Sequence, residues 1–278
     1  MKRSLVEKAD SLLSVEQGTV FKDPGGRISI CLIYPNTYRV GMANLGFQGI
    51  YGLLNKRDDV VCERAFLPDE EDAASLQRTG TPLFSLESKR PVGAFDIAAF
   101  SIPFENDYPN ILRVLELAKI PFRSSARDSF QPLLIAGGVC PSFNPEPVAP
   151  VFDVMFIGEA EESLVEFLEI YKAAMETGRV KESVKKTAIC IEGVYVPEFY
   201  TLKYNSDGTP AERIPLQGAP AIIKRRYLHE LSSESATTSI VSAESEFSNM
   251  YLIEAMRGCP WSCRFCLVGH MYRPLRRK

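Results

Sequence analysis

The sequence predicts a doubly wound α/β domain on a mainly parallel, five-stranded sheet, followed by a β-hairpin, a polar connector and the start of a second unit. Three observations predict it. Five short apolar runs recur between residues 27 and 175. They are apolar almost throughout rather than alternating, which suits strands covered by helices on both faces. Stretches with helical spacing separate them, and such alternation winds into a parallel sheet with right-handed crossovers.

Residues 1–26 are read as a helical lead-in. The first run, ISICLIY, ends at Tyr34, and LGFQGIYGLLNK follows as a helix weakened by Gly49 and Gly52. VVCERAF (60–66) and DIAAFSI (96–102) are the second and third runs. DYPNILRVLELAKI then places Ile111, Leu112, Leu115 and Ala118 on one stripe, with Pro109 in its first turn. PLLIAGG (132–138) and DVMFIG (153–158) complete the sheet. EAEESLVEFLEIYKAAM aligns Leu164, Phe167, Leu168 and Tyr171, and its Glu159, Glu161 and Glu162 suit the positive end of a helix dipole. The α/β domain is assigned to 27–178, hairpin and connector to 179–245, and the last unit to 246–278. GVYVPEFYTLKY and TPAERIPL are expected to pair around NSDG, with Asp207–Gly208 as the turn. KRRYLHELSSESATTSIVSAESEFSN has the polar, serine-rich texture of an extended connector. MYLIEAMRG reads as a strand running straight into three cysteines.

The 278 residues are 45% hydrophobic and 24% charged with a net charge of -3, as in an ordinary globular protein. No global field therefore draws the chain to nucleic acid or a membrane surface. Glu7, Lys8 and Asp10 interrupt the N-terminal segment, so no signal peptide is expected. No run approaches the roughly 20 apolar residues of a membrane span. The cytoplasm is the expected location. The basic end, Arg273 to Lys278, is read as a solvated tail, with nucleic-acid contact through it as the alternative. Cys31 and Cys62 sit in apolar runs and read as small buried hydrophobes. Seven cysteines, an odd and scattered set, give no disulfide framework.

Ligands of doubly wound sheets bind beyond the carboxyl ends of the strands. Those ends carry YPNTYRVGMANLG, SIPFEND, GGVCPSFNPEP and GEAEES. Asn36, Asn44, Gly137, Gly138, Ser142, Gly158 and Glu159 are the candidate cofactor contacts there. Turn chemistry accounts for the same composition equally well. Glu159 and Glu161 also read as helix-end carboxylates, and Arg39 as a solvated loop residue.

The cysteines fall at Cys259, Cys263 and Cys266, spaced C-x3-C-x2-C. Three thiolates on one short loop can converge on a metal centre. A [4Fe–4S] cluster normally takes four cysteines, so three leave one iron open to another ligand. A closed zinc site with His270 as fourth ligand is the alternative. Gly258 and Pro260 permit a tight wrap, and Pro260, Trp261 and Phe265 are expected to give apolar cover.

With Phe265 before its last cysteine, YLIEAMRGCPWSCRFC resembles the first barrel strand and cluster loop of the radical S-adenosylmethionine (SAM) superfamily. The resemblance implies that Cys259, Cys263 and Cys266 ligate three irons of a [4Fe–4S] cluster, with SAM on the fourth. It also implies reductive SAM cleavage fed by an electron donor such as flavodoxin or ferredoxin, and a (β/α) barrel of which only the beginning is present. AGGVCPSFNPEPVAPVFDVMFIGEAEESLVEFL is similar to the end of the cobalamin-binding, flavodoxin-like domain that precedes many radical SAM domains. Matching features are Gly137-Gly138, Pro145-Glu146-Pro147 and Gly158-Glu159-Ala160-Glu161. Cobalamin thereby enters as a second cofactor. The chain departs from His-on corrinoid proteins in lacking Asp-x-His-x-x-Gly after its first strand, its histidines being His229 and His270. The implied protein is an enzyme of which this chain is the N-terminal part. The alternative is a non-enzymatic corrinoid-binding or interaction module.

Overall fold

The structure is a computed structural model that describes residues 3–176, 180–231 and 236–278. Its centre is a six-stranded sheet. In chain order the strands are β1 (Ile28–Tyr34), β2 (Val60–Phe66), β3 (Ile97–Ser101), β4 (Leu133–Gly137), β5 (Val154–Phe156) and β6 (Val194–Tyr195). Their spatial order is β2-β1-β3-β4-β5-β6. The first five are mutually parallel, and each coincides with one of the five apolar runs. Every residue of β1 and β2 is buried, which is why neither shows polar alternation.

Alternate residues feed two cores. Ile30, Leu32, Ala99 and Ile135 face one, closed by helices α2 (Leu45–Asn55) and α5 (Glu161–Met175). Cys31, Ile33, Phe100 and Ala136 face the other, closed by α3 (Glu70–Thr79) and α4 (Tyr108–Ala118). Helix α1 (Arg3–Ser14) occupies only part of the 1–26 segment and tucks Leu5 and Ala9 inward. Among the described residues no helix is long and apolar enough to cross a membrane.

Past β5 the structure departs from the sequence reading. Val194–Tyr195, expected to open the hairpin, instead pairs antiparallel to β5 as the sheet's edge. Helix α6 (Val180–Ala188) leads into it. The sheet thus extends beyond the boundary expected at 178, which itself lies outside the described residues. The hairpin is shorter, β7 (Tyr200–Tyr204) against β8 (Pro210–Pro215), turning at Gly208 with φ +82°. A two-residue edge strand gives no periodic signal, and this one was absorbed into its β-rich neighbour.

The polar segment after the hairpin, of which residues 232–235 lie outside the described set, is pinned rather than free. Val241–Ser242 form an antiparallel ladder with Glu16–Gln17. Ser239 N and Ile240 N both donate to Gln48 Oε1 at 2.9 Å. The expected strand before the cysteines shrinks to β9 (Met256–Arg257), antiparallel to β10 (Arg276–Arg277). A barrel strand needs parallel neighbours to satisfy its backbone, and among the described residues this one has none.

Candidate cofactor-binding site

A cavity of about 540 Å³ opens over the carboxyl ends of β1, β3, β4 and β5. Its floor includes Leu32, Ala99, Ile135 and Phe156, and its side walls come from α2 and α5. Gly46, Gly49 and Gly52 of α2 line it. Gly49 and Gly52, which read as weaknesses in a helix, have a packing reason. A Cβ at Gly49 would sit 3.1 Å from Ala236 Cβ, and one at Gly52 would run into the Ser239 hydroxyl. Omitting the side chains lets the connector lie directly against α2 and roof the cavity.

Of the residues selected at the strand ends, Gly137, Gly138, Gly158 and Asn44 line the cavity. Gly138 has φ +112°, and a Cβ there would fall 2.7 Å from Ile102 O. At Gly158, φ is +115° and a Cβ would overlap the carbonyl of Arg226. Both turns are open to glycine alone. Asn44 caps α2 by accepting from Phe47 N at 2.9 Å.

The opposite wall belongs to the cysteine segment. Met256, Arg257 and Gly258 on one side of the cysteines, and Val268 and Tyr272 on the other, face the same cavity. Gly258 has φ +98°, and a Cβ there would overlap Tyr272 O, so the loop leaves its neck in a tight wrap. Cys259 and Cys266 are half-buried and Cys263 is exposed. Cys266 N donates to Cys263 O at 3.1 Å, forming a turn across the last two cysteines. His270 Nε2 lies 3.2 Å from the same carbonyl oxygen. Among the described residues no three His, Cys, Asp or Glu side chains stand close enough to hold a metal ion. As a donor set, three thiols on one eight-residue loop fit an iron–sulfur cluster. The expected apolar cover is not made: Trp261 is 72% and Phe265 93% exposed.

One carboxylate joins the two walls. Glu159, buried two residues before α5, accepts from Arg276 Nη2 at 2.6 Å on one oxygen. On the other it accepts from Arg276 Nη1 at 2.7 Å, Arg257 Nη1 at 3.0 Å and Leu228 N at 2.9 Å. Burial opposes its charge, but Arg276, the Leu228 N–H and Arg257 together hold its carboxyl below the usual range. Arg257 also binds Glu161 at 2.7 Å and Glu254 in a fork at 2.8 Å on both arms. Burial pushes the Glu161 carboxyl up in spite of that guanidinium.

Residues 46–197, from α2 to just past β6, match the family described as radical SAM proteins, N-terminal. The chain belongs to this family. It is similar to an uncharacterized protein of Methanocaldococcus jannaschii, 24% identical over 249 residues. That alignment covers 89% of this chain but 43% of the relative, so the chain spans less than half of the relative's length. A solved radical S-adenosylmethionine methyltransferase from Kitasatospora setae, TsrM, bound to tryptophan and a SAM analog, shares 14% identity at a TM-score of 0.37. The superposition covers 65% of this chain and 29% of that one.

Within this radical SAM N-terminal domain several sequence-selected residues take other roles. Asn36 does not line the cavity; its Nδ2 donates to Asp107 Oδ1 at 2.8 Å, tying the loops after β1 and β3. Ser142 bridges neighbouring turns, donating to Gly138 O at 2.7 Å and accepting from Gly158 N at 2.8 Å. Glu159 lines the cavity, and protein donors engage both its oxygens. Phe265 projects into solvent. The basic tail is not a free arm, because Arg276 is only 6% exposed and Arg273 Nε donates to Gly269 O at 2.6 Å. Sequence reading missed Arg257, Arg276 and Gln48. The one available signal was Arg257 standing two residues before the first cysteine.

Proposed function

We propose that this chain is the N-terminal part of a radical SAM enzyme in which Cys259, Cys263 and Cys266 hold a [4Fe–4S] cluster beside a cofactor cavity in the sheet domain. The supporting observation is the shared cavity. Its floor is the sheet's carboxyl edge, and its far wall is the chain immediately before and after the cysteines. The chemistry a cluster supplies when bound there is one-electron reduction of S-adenosylmethionine. The chain's own residues have other tasks. Gly258 and the turn closed by Cys266 N gather the three thiols on one loop. The exposed Cys263 edge leaves an approach for an electron donor such as flavodoxin or ferredoxin. His270, turned toward the Cys263 carbonyl, is not offered as a fourth ligand.

The cavity lies within the roughly 300–1,000 Å³ of ordinary small-molecule sites and is mostly apolar with a few polar lining groups. We assign it to part of a corrinoid, the ligand implied by the domain's resemblance. With its histidines at His229 and His270, the sheet offers no imidazole to cobalt. Leu32, Ala99 and Ile135 would exclude water beneath the ligand, and Ser101 would help orient it.

Two experiments test the reading. Anaerobic reconstitution with iron and sulfide should give a brown protein whose charge-transfer absorption disappears when the three cysteines become alanine. A colourless protein with stoichiometric zinc overturns the cluster assignment. Titration with cobalamin should give saturable binding with a spectral change, and a flat titration removes the corrinoid.

A further inference from the structure

We infer that Glu159 is a positioning residue that closes the neck of the cysteine loop by drawing Arg257 and Arg276 onto one buried carboxylate. Arg257 and Arg276 are register partners in the β9–β10 ladder. The loop between them, Gly258 to Leu275, contains all three clustered cysteines. Directly opposed residues of an antiparallel pair lie on the same face, and like charges placed so repel. A two-residue ladder has few backbone bonds with which to resist. Glu159 removes the conflict. It takes both guanidiniums at 2.6–3.0 Å, in a place where its side chain is 3% exposed and charge-assisted bonds are strong.

The carboxylate is itself anchored from the sheet side. Gly158 N is bonded to Ser142 Oγ at 2.8 Å, and Glu159 N donates to Arg226 O at 2.9 Å. Arg276 is further held by Leu228 O at 2.5 Å, and Arg257 by Glu161 and Glu254. Three carboxylates, Glu159, Glu161 and Glu254, thus stand against the guanidiniums of Arg257, Arg276 and, at 3.6 Å, Arg225. A carboxylate serving only the α5 dipole would need none of these partners. Glu162, in the first turn of α5 just after Glu159, is the internal comparison: it binds Arg226 at 2.7 Å.

The inference rests on the cluster reading for its purpose, but its test uses the metal-free full chain. Alkylation by iodoacetamide under reducing conditions, read by mass spectrometry at each thiol, reports neck opening. In Glu159→Gln, Cys259 and Cys266 should alkylate about tenfold faster, the opening expected from weakening one charge-assisted tie. Cys263 and Cys190, already exposed, should keep their rates. Amide exchange in β4 and β5 should be unchanged, and Glu162→Gln should leave all four thiols at wild-type rates. Unchanged rates at Cys259 and Cys266, or an equal rise in Glu162→Gln, overturn the inference. If Glu159→Gln loosens the sheet itself, Arg276→Met decides from the loop side. Faster Cys259 and Cys266 with an intact sheet supports the clasp, and wild-type rates refute it. Iron uptake by the wild-type chain is scored separately, so failure of the cluster reading leaves the thiol pattern interpretable.

Discussion

Gln48 offers a sharp test of how the cavity is roofed. The residue is 4% exposed, and its side chain makes three bonds at once. Nε2 donates to Met42 O at 2.6 Å, and Oε1 accepts from Ser239 N and Ile240 N at 2.9 Å each. Gln48→Met keeps the length of the side chain and removes every one of these bonds. Ile240 N–H and Met42 O are then stranded in the core, while the half-buried Ser239 N–H finds water. A buried group left unpaired costs about 1–3 kcal/mol, so two should cost about 2–6, less a little for the added apolar contact. We expect a loss near 3 kcal/mol in urea unfolding, with the Ile240 amide losing its exchange protection. Gln48→Glu, which still accepts both N–H groups but cannot donate to Met42 O, should fall between. A loss below about 0.5 kcal/mol with Ile240 still protected would show that the connector is not held by this amide.

Arg64, fully buried between Glu16 at 2.7 Å and Glu87 at 2.7 Å, should be costly to remove. Arg64→Met strands two carboxylates and should cost about 3–5 kcal/mol in thermal or urea unfolding. Glu87→Gln should cost far less, because burial already pushes the Glu87 carboxyl up. Arg57 and Lys172 hold the Asp59 carboxyl down to about 2, against an ordinary value of 3.8. Its contribution is therefore complete above the unfolded value and is lost as pH falls through the folded one. Asp59→Asn should flatten the pH dependence of unfolding between those two values, and an unaltered slope would refute the pairing. Gly158→Ala should lower the melting temperature more than Gly208→Ala. Both residues have positive φ, but only Gly158 has a carbonyl where the Cβ would go.

The five parallel strands were legible because burial on both faces leaves an apolar run that no helix-length pattern mimics. The cysteine spacing was legible because it sets three thiols on one short loop, but spacing alone does not bring their side chains together. The clasp was not, since Arg276 in a basic tail and Arg257 before a glycine look solvated until a buried carboxylate is found opposite them. Asn36 and Ser142 show the converse. Loop polarity cannot distinguish a side chain that faces a ligand from one that ties two turns together. Gly49 and Gly52 read as poor helix formers because the connector that exploits their absent side chains is almost two hundred residues away.

The ladder between Glu16–Gln17 and Val241–Ser242 makes the chain a drawn purse, its two lips sewn together outside the sheet they enclose. Tyr38 adds a stitch, its hydroxyl lying 2.7 Å from both Glu16 Oε1 and Ser242 Oγ. A fragment cut at 27 and 178 would lose one lip, the other, and the edge strand β6. It would also leave Arg64 with one of its two carboxylates. What looks in sequence like a portable α/β module is, in this fold, fastened by the segments that seem merely to lead into and out of it.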